Sequence, residues 1–416
     1  MSYEVKDLGL APQGARNIEW AEKQMGSLLK VRERFAREKP LAGYRIGMAL
    51  HITKETAVLV RTLRAGGAEV AIASCNPLST QDDAAAALAA EEVHVYGHKG
   101  ESREEYYAFI NRVIAFEPHV TIDDGCDLIS ELHAKHQELI LHVICGCEET
   151  TTGVIRLRAM ERDGALQYPV LAVNDCNTKH LMDNYYGTGQ STMDGIIRCT
   201  NVLISGKTLV VAGYGNCGKG VAMRGRGLGA EVVVTEVDPF KALQARMDGF
   251  RVLPMRQAVS EGDIIVTVTG GKHVIAMEHI ARMKDGVILA NSGHFDVEID
   301  VAGLTEAATD CREIRPLFTE YTVDGKSVYL CGEGRLVNLA CAEGHPSTVM
   351  ALSFCDQALG VEYGIANQGK LEPKVYPLPE EIDRTVARLQ LEAMGVEIDE
   401  LTPEQAKYLS SWESGT

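Results

Sequence analysis

Residues 207–238, KTLVVAGYGNCGKGVAMRGRGLGAEVVVTEVD, constrain this chain more than any other stretch. Thr208–Ala212 is a short, β-branched apolar run, Gly213-Tyr214-Gly215-Asn216-Cys217-Gly218 follows at once, and a second run, Val232–Thr235, ends in Glu236. The order predicts strand, glycine turn, helix and strand, the G-x-G-x-x-G dinucleotide fingerprint in the context it requires. Gly213 permits the tight turn, Gly215 lets backbone approach a pyrophosphate, and Gly218 lets the helix lie close to the strand. The pyrophosphate is expected on the N–H groups that open the helix. Glu236 stands roughly twenty residues on, where an acid takes the ribose hydroxyls and repels a 2′-phosphate, so NAD is expected rather than NADP. Gly213 through Lys219 also fits the start of a P-loop, but Gly220 occupies the position where Ser or Thr would hold magnesium. Lys219 then reads as a solvated helix residue.

At 416 residues the chain exceeds what one core usually holds, so two domains are expected. The net charge is −17 and no basic cluster is interleaved with aromatics, which argues against nucleic acid or an anionic membrane as a partner. The first residues are polar and mixed in charge, and no stretch approaches the apolar length of a membrane span, so a cytoplasmic protein is expected. The 11 cysteines are odd in number, with one C-x-C (Cys145, Cys147) and no C-x-x-C. Neither a zinc knuckle nor a disulfide framework is expected, and most read as small buried apolar residues.

The rest of the chain continues the α/β alternation. Apolar positions at helical spacing over 14–39 suit one surface helix, with Ile18, Ala21, Met25, Leu28, Leu29 and Val31 on one side. Arg45–Leu50 and Ala68–Ala73 read as strands, each followed by a helix, at 54–65 and 80–91. Further strands are expected at His119–Ile122, Leu139–Cys145, Asp263–Thr269, Gly286–Ala290 and Val328–Leu330, and a helix at 380–394. In the first half four strands end in polar residues: His51, Thr53 and Glu55; Cys75 to Asp82; Asp123 and Asp124; and Glu148 to Thr152. In open α/β sheets such ends line a ligand crevice; the blander role for any one of them is a helix N-cap. Lys179 and Asp183 share a face if their segment is helical, where the alternative is a surface ion pair. Thr269 and Asn291 lie where the nicotinamide half of a cofactor would run. The expected fold class is α/β: two doubly wound Rossmann-like domains with a C-terminal helical tail.

Eight runs then become specific together: H-x-T-x-E-T-A, SCNPLSTQDDAAAA, DDGCDL, EETTTGV, VNDCNTKHLMDN, VAGYGNCGKG, NSGHFDVEID and EGRLVNLACAEGHP. With these, in this order from about residue 40 to 355, the chain closely resembles the S-adenosylhomocysteine hydrolase (adenosylhomocysteinase) family, in its shorter archaeal or thermophile form. The resemblance implies a net hydrolysis run through tightly held NAD. Oxidation of the 3′-hydroxyl to a ketone acidifies the 4′ C–H, homocysteine leaves by elimination, water adds, and re-reduction releases adenosine.

The resemblance also implies roles. Lys179, Asp183 and Asn184 match the group that handles the 3′-hydroxyl, with Lys179 as base if burial or a nearby cation lowers its pKa. Asp124, Glu149 and His51 match residues around the ribose and 5′ carbon, and His294 a further active-site histidine. For the cofactor the match gives Thr150, Thr151, Thr152, Gly213, Gly215, Asn216, Gly218, Glu236, Thr269, Asn291, Gly293 and Asn338. Thr53, Glu55 and His345 match residues around the adenine, alongside Asp124, Glu149, Lys179 and Asp183 as substrate contacts. No metal is implied, and the family is tetrameric. The implied division is a substrate domain of 1–183 plus 346–375, an NAD domain of 184–345 and a tail of 376–416.

Three positions depart from the family pattern. Thr188 replaces a common cysteine, Lys241 replaces an asparagine near the NAD ribose, and the chain ends at 408–416 without the Lys and Tyr that reach a neighbouring protomer's cofactor in longer members. The readings weighed against the hydrolase are an S-inosylhomocysteine hydrolase, a 2-hydroxyacid dehydrogenase of related fold, and a non-enzymatic regulator on the same scaffold.

Overall fold

Two separate sheets order the chain, as seen in a computed structural model that describes residues 2–412. The strands of the first are β1 (Arg45–Ala49), β2 (Glu69–Ala73), β3 (His94–Tyr96), β4 (Val120–Asp123), β5 (Cys145–Glu148), β6 (Val170–Ala172) and, much later in the chain, β15 (Val375–Pro377). They lie in the order β15-β6-β5-β4-β1-β2-β3, all parallel. The second sheet comprises β7 (Thr208–Ala212), β8 (Glu231–Thr235), β9 (Arg251–Val252), β10 (Ile264–Thr267), β11 (Val287–Asn291), β12 (Asp310–Arg315), β13 (Phe318–Val323) and β14 (Lys326–Cys331). Its order is β12-β13-β14-β11-β10-β7-β8-β9; β13 pairs antiparallel with both β12 and β14, and the other pairings are parallel.

Strands buried on both faces read as unbroken apolar runs, and β7 shows why. Leu209 and Val211 enter one core cluster with Val232, Val234 and Ile264, while Val210 enters the cluster on the opposite face with Val233 and Ile265. Strand order reverses between β1 and β4 in the first sheet and between β7 and β10 in the second. Ligand crevices open at the carboxyl ends of strands at such reversals. The two-Rossmann α/β reading is therefore the observed fold.

Two sequence expectations are corrected. The helix expected over 14–39 is two helices, Ala11–Glu22 and Gly26–Glu38, and it is not a surface element: Ile18, Ala21, Met25, Leu28 and Val31 are all in the core. The strand expected at Leu139–Cys145 is displaced. Gln137–Ile140 is a helical turn, Leu141 is 89% exposed, and the ladder is made by Cys145–Glu148. Small residues suit that strand because a Cβ at Gly146 would stand 2.8 Å from Thr121 Oγ1.

The helical tail expected from 376 is present, and its first part is joined to the first unit. β15 pairs with β6, and the helix Glu380–Ala393 stays on the first unit, burying Val386 in its core and joining Gln390 to Ser27 at 2.7 Å. Its amphipathic pattern is what docks it. The helix Pro403–Ser410 beyond it buries none of its residues, and 413–416 lie outside the described residues. Among the described residues no helix is long and apolar enough to cross a membrane.

Candidate active site

The carboxyl ends of both sheets face one cavity of about 1310 Å3. From the first unit β1 brings His51, Thr53 and Glu55, β4 brings Asp124, and β5 brings Glu149 with Thr150, Thr151 and Thr152. A short helical turn, Asn177–His180, carries Lys179, and a π-helical turn, Asp183–Gly187, carries Asp183 and Asn184 as the chain passes between the sheets. Such π turns are rare and cluster at functional sites. From the second unit come Gly213, Gly215 and Asn216, Glu236, Thr269, Gly293, His294 and Asn338, with His345 on the return crossing.

Lys179 and Asp183 are not a surface pair, being 4% and 2% exposed. Lys179 Nζ lies 3.1 Å from Asp183 Oδ1, 3.8 Å from Glu149 Oε1, and donates to Asn184 Oδ1 at 2.9 Å. Burial pulls the lysine pKa down, but the carboxylates of Asp183, Glu149 and Asp124 outweigh it and hold the group above its ordinary value. Burial raises Asp183, and the Lys179 and His345 charges more than reverse this, leaving it well below the usual carboxylate range. Glu149 is pushed the other way, up to about 7, by burial that Lys179 only partly offsets. In the protein alone, Lys179 is thus an ammonium, which departs from the lowered pKa that a resting base would need.

His345 faces Asp183 Oδ2 with Nδ1 at 3.0 Å, and its Nε2 lies 3.3 Å from Thr188 Oγ1. The residue expected near the adenine thereby joins the lysine group as well. Asp124 sits between two imidazoles, His51 Nε2 at 3.4 Å and His294 Nδ1 at 3.6 Å, one from each unit. Glu55 is 2% exposed and accepts from Ser347 Oγ at 2.7 Å, with Lys54 Nζ at 3.4 Å. Arg61, on the same helix, pairs with Glu91 and Glu22 rather than with Glu55.

The glycine loop has the shape a dinucleotide needs. Gly213 has φ +104°, a conformation that favours glycine, and nothing lies within 4 Å of a Cβ at Gly215, so backbone there is open to the cavity. Glu236 is braced over the loop, accepting from the Tyr214, Val237 and Asp238 amides at 2.7, 2.7 and 3.1 Å. Asn338 donates to Ser191 Oγ, but its own buried Oδ1 has no protein partner. An orphaned acceptor of that kind suits a ligand donor.

Two residues expected to touch the cofactor stand behind the cavity wall. A Cβ at Gly218 would come 2.0 Å from Gly213 O, so this glycine allows the helix to close on its own loop. Asn291 is fully buried and donates to the carbonyls of Gly293, Phe295 and Gly334, shaping the loop that presents His294. Lys219, expected in solvent, lines the cavity instead, with Nζ 5.9 Å from the Tyr214 ring centre.

Sequence reasoning missed the hydroxyls and amides that hold the acids in place. Ser353 Oγ and Gln357 Nε2 both donate to Glu149, the latter at 2.6 Å, from one face of the helix Ser347–Ala366. Polar residues four apart in an otherwise apolar run were the available signal.

The family model described as "S-adenosyl-L-homocysteine hydrolase, NAD binding domain" matches residues 184–344, and "S-adenosyl-L-homocysteine hydrolase" matches 2–144. The chain belongs to the S-adenosyl-L-homocysteine hydrolase family. It carries that family's NAD-binding domain, so NAD is its cofactor. Among curated members it is 60% identical to an adenosylhomocysteinase of Aquifex aeolicus and 59% identical to an S-inosyl-L-homocysteine hydrolase of Methanocaldococcus jannaschii, each over the whole of both chains. An adenosylhomocysteinase of Saccharolobus solfataricus is 57% identical, again end to end. Among solved structures, a dipicolinate synthase chain from Bacillus halodurans shares the fold alone, with TM-score 0.51, 13% identity, and 78% of this chain and 99% of that one covered.

Proposed function

We propose that this chain catalyses the reversible hydrolysis of S-adenosyl-L-homocysteine to adenosine and L-homocysteine, working as a cytoplasmic homotetramer without nucleic acid or membrane partners. The observation that carries the reading is a single cavity bounded both by a dinucleotide loop and by the buried Lys179–Asp183–Asn184 group. The substrate side is residues 1–183 with the return from 346, and the cofactor side is 184–345.

NAD, held by the glycine loop, Glu236, Thr150–Thr152, Thr269, Gly293 and Asn338, supplies reversible hydride transfer at the 3′ carbon. Lys179 takes the 3′-hydroxyl proton from its deprotonated fraction, and Asp183 and Asn184 fix the ammonium head that results. Once the 3′ carbon is a ketone, the 4′ C–H is acidic enough for the C5′–S bond to break by elimination. Glu149, Asp124, His51 and His294 are the titratable groups available for proton transfer at C4′ and C5′. Glu149, with its pKa near neutrality, can both take and return a proton there. The test is homocysteine release from S-adenosylhomocysteine without net NADH. Stoichiometric NADH from simple 2-hydroxy acids, with no homocysteine, would establish the dehydrogenase instead, and no turnover of either would leave a binding protein.

Glu236→Ala is expected to weaken NAD binding by about tenfold, the order of a hydrogen bond to a charged group. NADP binding should change less, because the same carboxylate repels a 2′-phosphate. Equal wild-type affinities for the two cofactors would show that Lys241, which also lines the cavity, overrides Glu236.

The relatives divide over the base, with comparable identities to adenosyl and inosyl enzymes. Adenine offers an exocyclic amine and hypoxanthine a carbonyl. Glu55, a buried acceptor, suits the amine and opposes the carbonyl. A preference for S-adenosylhomocysteine over the inosyl compound of about a hundredfold in kcat/KM is expected. Glu55→Gln should shrink it, because an amide donates to the carbonyl. A wild-type preference for S-inosylhomocysteine would remove Glu55 from this role and leave the reaction type standing.

A further inference from the structure

Ser79 does not face the cavity, yet its hydroxyl is the partner of a residue that does. His51 Nδ1 lies 2.7 Å from Ser79 Oγ, while the other ring nitrogen, Nε2, faces Asp124 Oδ2 at 3.4 Å. Burial holds the imidazole down to about 4, so at neutral pH the ring carries one proton and must place it on one nitrogen.

Counting donors around Ser79 decides which. Its single hydroxyl hydrogen has three acceptors in reach: His51 Nδ1, the Asn76 carbonyl at 3.0 Å and Ser74 Oγ at 3.3 Å. A carbonyl oxygen offers two lone pairs. The Asn76 carbonyl already accepts the Ser74 hydroxyl at 2.8 Å and the Ser79 amide at 3.2 Å. The hydrogen therefore goes to the shortest contact, His51 Nδ1. A ring that accepts at Nδ1 carries its proton on Nε2, where Asp124 presents an oxygen. The opposite tautomer would set the Nε2 lone pair against that carboxylate oxygen. Both neighbours of the ring therefore favour the same form.

We propose that Ser79 is a positioning residue that fixes His51 as the Nε2–H tautomer, making His51 a hydrogen-bond donor into the site rather than its resting general base. The tautomer itself follows from the protein alone; its use in catalysis rests on the hydrolase reading.

Full-length protein with NAD bound and its histidines labelled with nitrogen-15 reads the tautomer directly. The His51 signal, identified by its loss in His51→Gln, should show a pyridine-like Nδ1 and a pyrrole-like Nε2 at neutral pH. The reverse pattern overturns the assignment. Ser79→Ala should mix the two forms and lower thioether turnover about tenfold, the size of one lost hydrogen bond to a buried group. Ser79→Thr, which keeps a hydroxyl, should preserve both. An alanine variant matching wild type in tautomer and turnover would refute the role. A wild-type protein with the expected tautomer that releases no homocysteine would refute the hydrolase reading and leave this assignment intact.

Discussion

Lys179→Met is expected to stop oxidation of the 3′-hydroxyl while leaving NAD bound, lowering the rate at which adenosine reduces the bound cofactor by about a thousandfold or more. The loss should be confined to chemistry because the glycine loop and Glu236 belong to the other sheet, whereas Lys179 sits on the turn Asn177–His180. The wild-type pH dependence gives a second readout. Carboxylates hold Lys179 above its ordinary pKa, and only the deprotonated fraction can accept a proton. That fraction is small at neutral pH and grows about tenfold per pH unit, so the oxidation rate should rise with pH. The slope should vanish in the methionine variant. A variant that reduces its NAD at near wild-type rate would show that Lys179 is not the base.

Gly218→Val should nearly abolish cofactor binding although Gly218 touches no part of the cavity. Its Cβ would stand 2.0 Å from the Gly213 carbonyl, and a backbone atom cannot swing aside as a side chain does. Relief requires the loop and the helix Asn216–Gly227 to separate, which spoils the amides that would meet the pyrophosphate. Overpacking of about 3 kcal/mol carried into binding is roughly a hundredfold in Kd. Gly227→Ala is the control, since nothing lies within 4 Å of a Cβ there. Equal NAD content in the two purified variants would sink the argument.

What could be read beforehand followed from locality. β7, the glycine turn and β8 were legible because strands buried on both faces are continuous apolar runs and because the loop's glycines are adjacent in sequence. The chemistry-bearing residues after β1, β4 and β5 stood out as polar strand ends, and family resemblance sorted them into roles. β5 itself was misplaced because Cys-Gly-Cys-Glu carries no apolar pattern, while the run before it does. Which residues act on those groups was illegible for a different reason. Ser79 meets His51 across 28 residues, and Ser353 and Gln357 meet Glu149 across 204 and 208. Such pairs exist only once both partner segments have folded together, and a serine or glutamine in a helix offers no local sign of its partner.

The order of strands bears on how the chain is made. β7 to β14 form the second sheet from one uninterrupted stretch, but the first sheet ends with β15, whose Val375 pairs with Val170 of β6. Phe354, Ala358 and Val361, also from the returning segment, share a core with Ile46 and Met48. Emerging from the ribosome, the cofactor-binding unit therefore has everything it needs while the N-terminal unit still lacks an edge strand and the helix that covers one face. Vectorial synthesis usually lets the N-terminal domain settle first; here the half synthesised first must be completed last. Chains interrupted near residue 345 should accordingly hold a folded second unit beside an open, aggregation-prone first one.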